Sequence, residues 1–317
     1  MGGYMRVIYL GTPEFAVIPL EALTQDKRYD VVGVITQPDR PVGRHAVPQP
    51  TPVKAAALRL GIPVIQPETL REPAAVEHVA AFRPDVGVVA AYGEILRKNV
   101  LAIPSLGYVN IHPSLLPRYR GPAPVTAAIL AGDTETGVSL IRLEAKMDAG
   151  PILAQQRVPL PARARTGDLT NELFQLGATM LVSVLADYAT ENVKLIPQDD
   201  TKATFTRLLT RTDGLIDWNA SAVQIERMTR AYDPWPGAYT IWRGQPLKLI
   251  EAQPIGNHDP SVAPGTVFND HNDVSVATGD GVLRLLTVQP AGKRPMPAEA
   301  WLRGQRDLIG ARLGAGA

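Results

Sequence analysis

The 317-residue chain contains no cysteine, which excludes disulfides, thiolate metal sites and a sulfur nucleophile and suits a reducing compartment. Its five histidines, His45, His78, His112, His258 and His271, show no ligand spacing, so no metal is expected. Net charge is nearly absent too. With 32 basic against 31 acidic residues the formal charge is +1, and any contact with nucleic acid has to come from a local patch. No apolar run approaches the length of a membrane span, and no basic n-region or Arg-rich amphipathic leader precedes the first apolar run. A cytoplasmic location is therefore expected, with Met1 to Tyr4 read as an extension ahead of a start at Met5. The dinucleotide fingerprint G-x-G-x-x-G is also missing. The first apolar run ends in Gly11-Thr12-Pro13-Glu14-Phe15, with a single glycine, which argues against a nicotinamide oxidoreductase. Thr12 is expected to cap the following helix, with Pro13 at its first position.

What is present is material for a core. Hydrophobic residues make up 45% of the chain, and its length leads to an expectation of two domains. Apolar runs of strand length recur at Val7 to Leu10, Val31 to Ile35, Val86 to Ala91 and Tyr108 to Ile111, separated by segments of helical periodicity. That alternation predicts an α/β fold: a Rossmann-like, mostly parallel sheet with helices on both faces. Thr51 and Pro52 open one helix and Gly61 ends it. Leu169, Leu173, Leu176, Met180, Leu181 and Val184 trace the apolar face of a longer helix that closes the first domain. The first domain is expected over residues 1–191, a linker over 192–207 and a second domain over 208–317. There, Ser221-Ala-Val-Gln224 resembles a capping box that opens a helix to Ala231. Short strands are expected at 238–242, 247–251, 266–268, 274–277 and 282–288, which suits a small OB-like β-barrel.

Chemistry-bearing residues gather after the fourth apolar run. If Tyr108 to Ile111 is a strand, alternation puts Asn110 and His112 on one face, where an amide donor and a proton-exchanging imidazole can reach one substrate. Thr136 to Leu143 alternates like another strand and leads to Asp148-Ala149-Gly150, an acid before a flexible turn that can orient an imidazole or accept a proton. Arg118 and Arg120 could bind an anionic tail. One by one, these residues also fit plain structural roles. Asn110 can serve an Asx turn, His112 can satisfy a loop carbonyl and Asp148 can be a turn aspartate. The two arginines can be solvated, and Trp218, Trp235 and Trp242 can be core aromatics.

Together they are more specific. Asn110-x-His112, Ser114-Leu-Leu-Pro-Arg-x-Arg-Gly121 and Asp148-x-Gly150 resemble the active-site signature of the folate-dependent formyltransferase family. The resemblance continues through Gly11-Thr-Pro-Glu-Phe-Ala16, Thr36-Gln-Pro-Asp-Arg-Pro41, Ala91-Tyr-Gly93 and Gly132-Asp-x-x-Thr-Gly137. In the second domain, Ile216-Asp-Trp218, Pro234-Trp-Pro236 and Leu286-x-x-x-Pro290-Ala-Gly-Lys293 are similar to the two-domain branch that acts on charged initiator tRNA; the single-domain purine-pathway relatives lack them.

This resemblance implies a reaction. The formyl group of 10-formyltetrahydrofolate passes to the α-amine of methionine esterified to initiator tRNA, giving the formylated tRNA used in translation initiation. Amine attack on the formyl carbon creates a tetrahedral oxyanion, so donors must face that oxygen and an acceptor must take the ammonium proton. By the resemblance, Asn110 and His112 stabilise the oxyanion, while Asp148 sets the imidazole's protonation state and assists proton transfer. Ser114, Leu115, Leu116 and Pro117 are similar to the segment that binds the folate. Neither a metal nor a covalent intermediate is required, and a monomer is expected.

Transfer RNA contacts are implied in two places. In the family the loop after Thr36-Gln-Pro-Asp-Arg enters the acceptor-stem end, which here puts Arg40 and Arg44 against the tRNA. The family's lysine-rich continuation is replaced by His45-Ala46-Val47-Pro48-Gln49, so a weaker electrostatic grip is expected. From Leu209 onward eleven basic residues balance eleven acidic ones, yet six basic face two acidic residues between Arg284 and Arg312. Lys293, Arg294, Arg303 and Arg306 are therefore expected to form a phosphate-facing patch. The competing readings are a relative that uses the same donor on another amine, such as a sugar nucleotide, or hydrolyses formylfolate, and a non-catalytic RNA-binding protein. The second would leave Asn110, His112 and Asp148 without a joint purpose.

Overall fold

The structure, a computed structural model, describes residues 4–42, 47–256, 261–270 and 273–314. Its contacts divide into two units. The first comprises residues 1–124, 135–159 and 170–206; the second comprises 125–134, 160–169 and 207–317. Of the segment 192–207, expected as a linker, residues 192–206 group with the first unit and Arg207 with the second.

The first unit is built on a seven-stranded sheet. In chain order its elements are β1 (Met5–Gly11), α1 (Val17–Gln25), β2 (Tyr29–Ile35), the short pair β3 (Arg40–Val42) and β4 (Val47–Gln49), α2 (Pro52–Arg59), β5 (Val64–Ile65), α3 (Pro73–Ala81), β6 (Val86–Ala90), α4 (Lys98–Leu101) and β7 (Tyr108–His112). Past α5 (Pro124–Ala131), which from Val125 on belongs to the second unit, come β8 (Glu135–Arg142), β9 (Ile152–Pro159) and α6 (Thr166–Ala189), which belongs to the first unit from Thr170 on. The strand order is β5-β2-β1-β6-β7-β8-β9, parallel as far as β7 and antiparallel for β8 and β9. This is the expected Rossmann-like, mostly parallel arrangement. The order reverses at β1, where the chain crosses to β6, and the strands on either side have carboxyl ends that open a crevice.

Helices cover both faces. On one, Ile8, Leu10, Val89 and Tyr108 pack with Ala75, Val79 and Val100 of α3 and α4. On the other, Gly177 of α6 lies so close to Ile111 and Val138 that an added Cβ would stand 2.6 Å from Ile111. Phe174 of α6 stacks on Phe15, ring centroids 4.6 Å apart, and the Tyr29 hydroxyl donates to the Val182 carbonyl. The buried stripe of α6 runs through Leu173, Phe174, Ala178, Leu181 and Leu185, whereas Leu176, Met180 and Val184 are only half-buried. Contrary to expectation, α6 has the length and apolarity of a membrane span, 24 residues with a window hydropathy of 1.3, yet this stripe faces the sheet.

Local signals explain several boundaries. The Thr51 side chain accepts from the Lys54 N–H at the start of α2, and Gly61, with φ +71, follows its last turn. Thr12 does not cap the turn after β1, contrary to expectation. Its hydroxyl donates to the Tyr92 carbonyl, tying the ends of β1 and β6.

Besides α5 from Val125 on, the second unit carries an antiparallel sheet and two further short helices. Its elements are α7 (Ala222–Ala231), β10 (Tyr239–Trp242), β11 (Gln245–Ile255), β12 (Val267–Asp270), β13 (Asp273–Ala277), β14 (Val282–Pro290), β15 (Met296–Pro297) and α8 (Ala298–Leu302). The strand order β10-β11-β14-β13-β12, with β15 beside β14, gives the half-barrel of the expected OB-like domain. Register shifts in β11 at Leu249 to Ala252 let so long a strand bend. Ser221 and Gln224 form the expected capping box of α7, and Trp218, Ile225, Leu249, Val276, Leu285 and Trp301 share the core beneath it.

Candidate active site

The site grows from the carboxyl end of β7. Alternation along that strand puts Tyr108, Asn110 and His112 on the α3 and α4 face, and Ile111 on the α6 face. Asn110 is 9% exposed and His112 4%, so both side chains are almost withdrawn from water. Among the described residues the Asn110 amide has no hydrogen-bond partner, which leaves its N–H groups available to an incoming oxygen.

His112 is held on both sides. Its Nε2 lies 2.9 Å from the Tyr119 carbonyl. A carbonyl only accepts, so Nε2 carries the proton and Nδ1 is the nitrogen left for chemistry. Nδ1 points at Asp148, 3.7 Å from Oδ2. The same carboxylate oxygen accepts from the Gly121 N–H at 2.7 Å. The loop-carbonyl role and the catalytic role of His112 are thus compatible, one on each ring nitrogen.

Asp148 has a left-handed backbone, φ +47, and the glycine two residues on has a definite cause. A Cβ on Gly150 would stand 1.8 Å from the Arg142 carbonyl oxygen at the end of β8, a distance no side chain tolerates. The Asp148-x-Gly150 turn therefore packs against a strand paired with β7 itself, and the acid comes to the histidine through sheet register: Val109 opposes Arg142 and His112 opposes Ser139.

The Ser114 to Pro117 segment is fixed from beneath. Ser139 is fully buried; its hydroxyl donates to the Ser114 carbonyl at 2.7 Å and accepts from the Leu116 N–H at 3.2 Å. Gln155 of β9 donates both to Ser139 Oγ and to the Leu116 carbonyl. Leu116 is buried with Ile141 and Ile152, and the Ser114 hydroxyl donates to the Arg118 carbonyl. Leu115 and Pro117 are the half-buried members of the segment.

Ser139 and Gln155 were not singled out from the sequence. A buried serine in the alternating strand Thr136 to Leu143 was a usable signal for the first. Arg120, expected among solvated arginines, is instead fully buried. Its Nε and Nη2 donate to Gln198 Oε1, and Nη2 reaches Asp200 at 2.7 Å. Arg118 stays exposed, stacked on the Tyr119 ring 4.8 Å from its centroid.

The basic residues expected at tRNA are exposed wherever they fall among the described residues. Arg40 is exposed on β3 and pairs with Glu68 at 3.1 Å, a contact that costs little to break. Arg44 lies outside the described residues. In the second unit Lys293 and Arg294 are exposed after β14, and Arg303 and Arg306 are exposed after α8. A cavity of about 600 Å³ lined by Leu101, Gly107, Arg142, Tyr188 and Leu195 opens at the amino end of β7, the far end from His112.

A buried amide and imidazole at a strand end, with an acid on a tight turn facing the imidazole, are groups able to donate to an oxyanion and to exchange one proton, the chemistry that group transfer asks for. Comparison with known proteins agrees on the class. Residues 5–185 match the formyl transferase family and residues 208–306 match the formyl transferase C-terminal domain. The chain is 64% identical over 310 residues to the methionyl-tRNA formyltransferase of Roseiflexus castenholzii, covering 98% of this chain and 99% of that protein. It is 58% identical over 302 residues to that of Chloroflexus aggregans, covering 95% and 97%. In fold it is similar to the N-formyltransferase from Helicobacter canadensis, solved in complex with folinic acid and dTDP-3-aminofucose. That match has a TM-score of 0.66, is 17% identical, and covers 91% of this chain and 100% of the other. The chain belongs to the formyl transferase family and is an enzyme.

Proposed function

We propose that the chain transfers the formyl group of 10-formyltetrahydrofolate to the α-amine of methionine carried on initiator tRNA. The unpartnered Asn110 amide beside His112, with Nδ1 facing Asp148, carries this reading, and the 64% identical relative named for the same activity supports the acceptor. The residues fit a formyl donor. The Asn110 donors have no partner among the described residues, while Leu115 and Pro117 offer half-buried apolar edges along a backbone already held by Ser139 and Gln155.

The donor supplies an activated formyl carbon bonded to N10 of the folate. Asn110 and protonated His112 Nδ1 donate to the oxygen of that carbon as the amine's lone pair forms the new C–N bond. Asp148 balances the imidazolium charge. Collapse of the tetrahedral intermediate breaks the carbon–N10 bond, and the proton lost by the ammonium ends on N10, so the enzyme returns to its starting state. Ser114 to Pro117 bind the folate in this scheme. Arg40 and Arg44 of the first domain, and the patch of Lys293, Arg294, Arg303 and Arg306 in a second domain spanning 208–317, take tRNA phosphates. Monomeric, cytoplasmic operation completes the proposal.

Formyl transfer from 10-formyltetrahydrofolate to charged initiator and charged elongator tRNA tests it. Product on initiator tRNA alone is expected; no product with either sinks the reading, and transfer to an aminosugar nucleotide instead would favour the other acceptor. Arg44→Ala should weaken tRNA use far more than folate binding.

A further inference from the structure

The segment 192–206 does more than join two regions. Gln198 Nε2 donates to the Asp148 carbonyl at 2.8 Å and to the Gly150 carbonyl at 2.7 Å, clamping both ends of the turn that carries the acid. Gln198 Oε1 faces the other way and accepts from Arg120 Nε and Nη2 at 3.1 and 2.8 Å. Arg120 is itself fully buried, and its backbone pairs on both sides with the same segment: its N–H donates to the Thr204 carbonyl, and the Arg120 carbonyl accepts from the Thr206 N–H. The next N–H along the chain, that of Gly121, is the one that binds Asp148 Oδ2. Thr204 Oγ1 accepts from the Tyr119 N–H, and the Tyr119 carbonyl fixes His112.

These bonds close a circuit. The backbone and the carboxylate of Asp148 are fixed by separate arms, and both arms meet at Gln198 and Arg120. We infer that Gln198 is a positioning residue for the reaction: its amide orients the Asp148 turn, so that Oδ2 faces His112 Nδ1. An amide is the one side chain suited to this place, because it must donate to two carbonyls at one end and accept from a guanidinium at the other. Among the described residues Arg120 Nη1 finds no partner, so Gln198 and Asp200 are what the buried charge has.

Two nearly isosteric variants separate positioning from mere packing. Gln198→Glu keeps the acceptor toward Arg120 and adds charge to it, but turns an oxygen on the two carbonyls that the amide now serves. Gln198→Met removes both functions. A displacement on the 1 Å scale predicts a loss in kcat of about 10- to 100-fold for each variant, with KM for both substrates within about threefold. Gln198→Glu, which keeps an acceptor for Arg120, should lose less Tm than Gln198→Met. A kcat per folded molecule equal to wild type in both variants overturns the inference.

The inference rests on the reading of Asp148 and His112 as the reacting pair, so a second readout works without turnover. In protein carrying 13C-labelled histidine, the His112 resonance, assigned by its loss in His112→Ala, should shift in both Gln198 variants. An unshifted resonance overturns the positioning role even if the activity assay fails. No formyl transfer by wild type overturns the functional reading alone.

Discussion

Replacing Gly150 by alanine tests how the acid is delivered. The added Cβ would stand 1.8 Å from the Arg142 carbonyl oxygen, about 1.2 Å inside the 3.0 Å that real Cβ contacts respect. Arg142 cannot give way freely: it is paired with Val109 of β7, and its N–H bonds the Pro151 carbonyl at 3.0 Å. The 148–150 turn must therefore move outward by roughly an ångström, carrying Asp148 away from an Nδ1 that is 3.7 Å distant. Overpacking of this kind costs about 1–3 kcal/mol, a few degrees in Tm. Misplacing a reacting group by ~1 Å costs on the order of 10²-fold in rate. Single-turnover formyl transfer and thermal unfolding followed by circular dichroism measure the two effects in one preparation. Gly61→Ala is the control. Gly61 has a left-handed backbone, φ +71, but its Cβ would meet nothing within 4 Å, so Gly61→Ala should lose about 1–2 kcal/mol of stability and no catalytic rate. Full kcat in Gly150→Ala would refute the account of the motif.

Three further outcomes are expected. His112→Ala should lower kcat by roughly 10²- to 10³-fold if it supplies one oxyanion donor, with the fold retained; a purified variant with full turnover would remove that role. Ser139→Ala leaves the Ser114 carbonyl and the Leu116 N–H without their buried partner, and should cost about 1–3 kcal/mol in urea unfolding and raise KM for the folate more than for tRNA. In the second unit the Arg207 guanidinium, and after it the Thr210 N–H, hold the Asp213 carboxyl below the usual carboxylate range. A depressed acid stabilises the fold fully above its unfolded value near pH ~4, and that contribution fades as pH falls toward the folded value. Wild-type Tm should therefore drop on acidification from about pH 5, and Asp213→Asn should flatten the drop; identical curves would contradict the assignment.

Much of the site could be read from the sequence because its chemistry is short-range. Asn110 and His112 are two residues apart on a strand, so strand periodicity alone puts them on one face, and Asp148-x-Gly150 announces itself as an acid before a turn. The capping signals at Thr51 and Ser221 are equally local. What escaped depends on residues distant in sequence. Gln198 acts on Asp148 from fifty residues away, in a stretch whose polar composition reads as a connector. Arg120 escaped because arginine is nearly always solvated, and only the convergence of Gln198, Asp200 and the 204–206 backbone makes its burial tolerable. Strand β9 escaped because Gln155, Gln156 and Arg157 interrupt its apolar alternation; its place at the sheet edge leaves those residues exposed. The departure in α6 is of register: Phe174 and Ala178, beside the leucines that caught the eye, line its buried side.

The bond between His112 Nε2 and the Tyr119 carbonyl has a consequence for proton traffic. A ring with one nitrogen committed to a carbonyl cannot pass a proton through itself, in at one nitrogen and out at the other. Whatever His112 takes at Nδ1 it must give back at Nδ1, on the side where Asp148 stands and a substrate would sit. The imidazole is thus a dead-end port rather than a wire. In the proposed reaction a proton borrowed at Nδ1 is therefore returned on the side of the reactants.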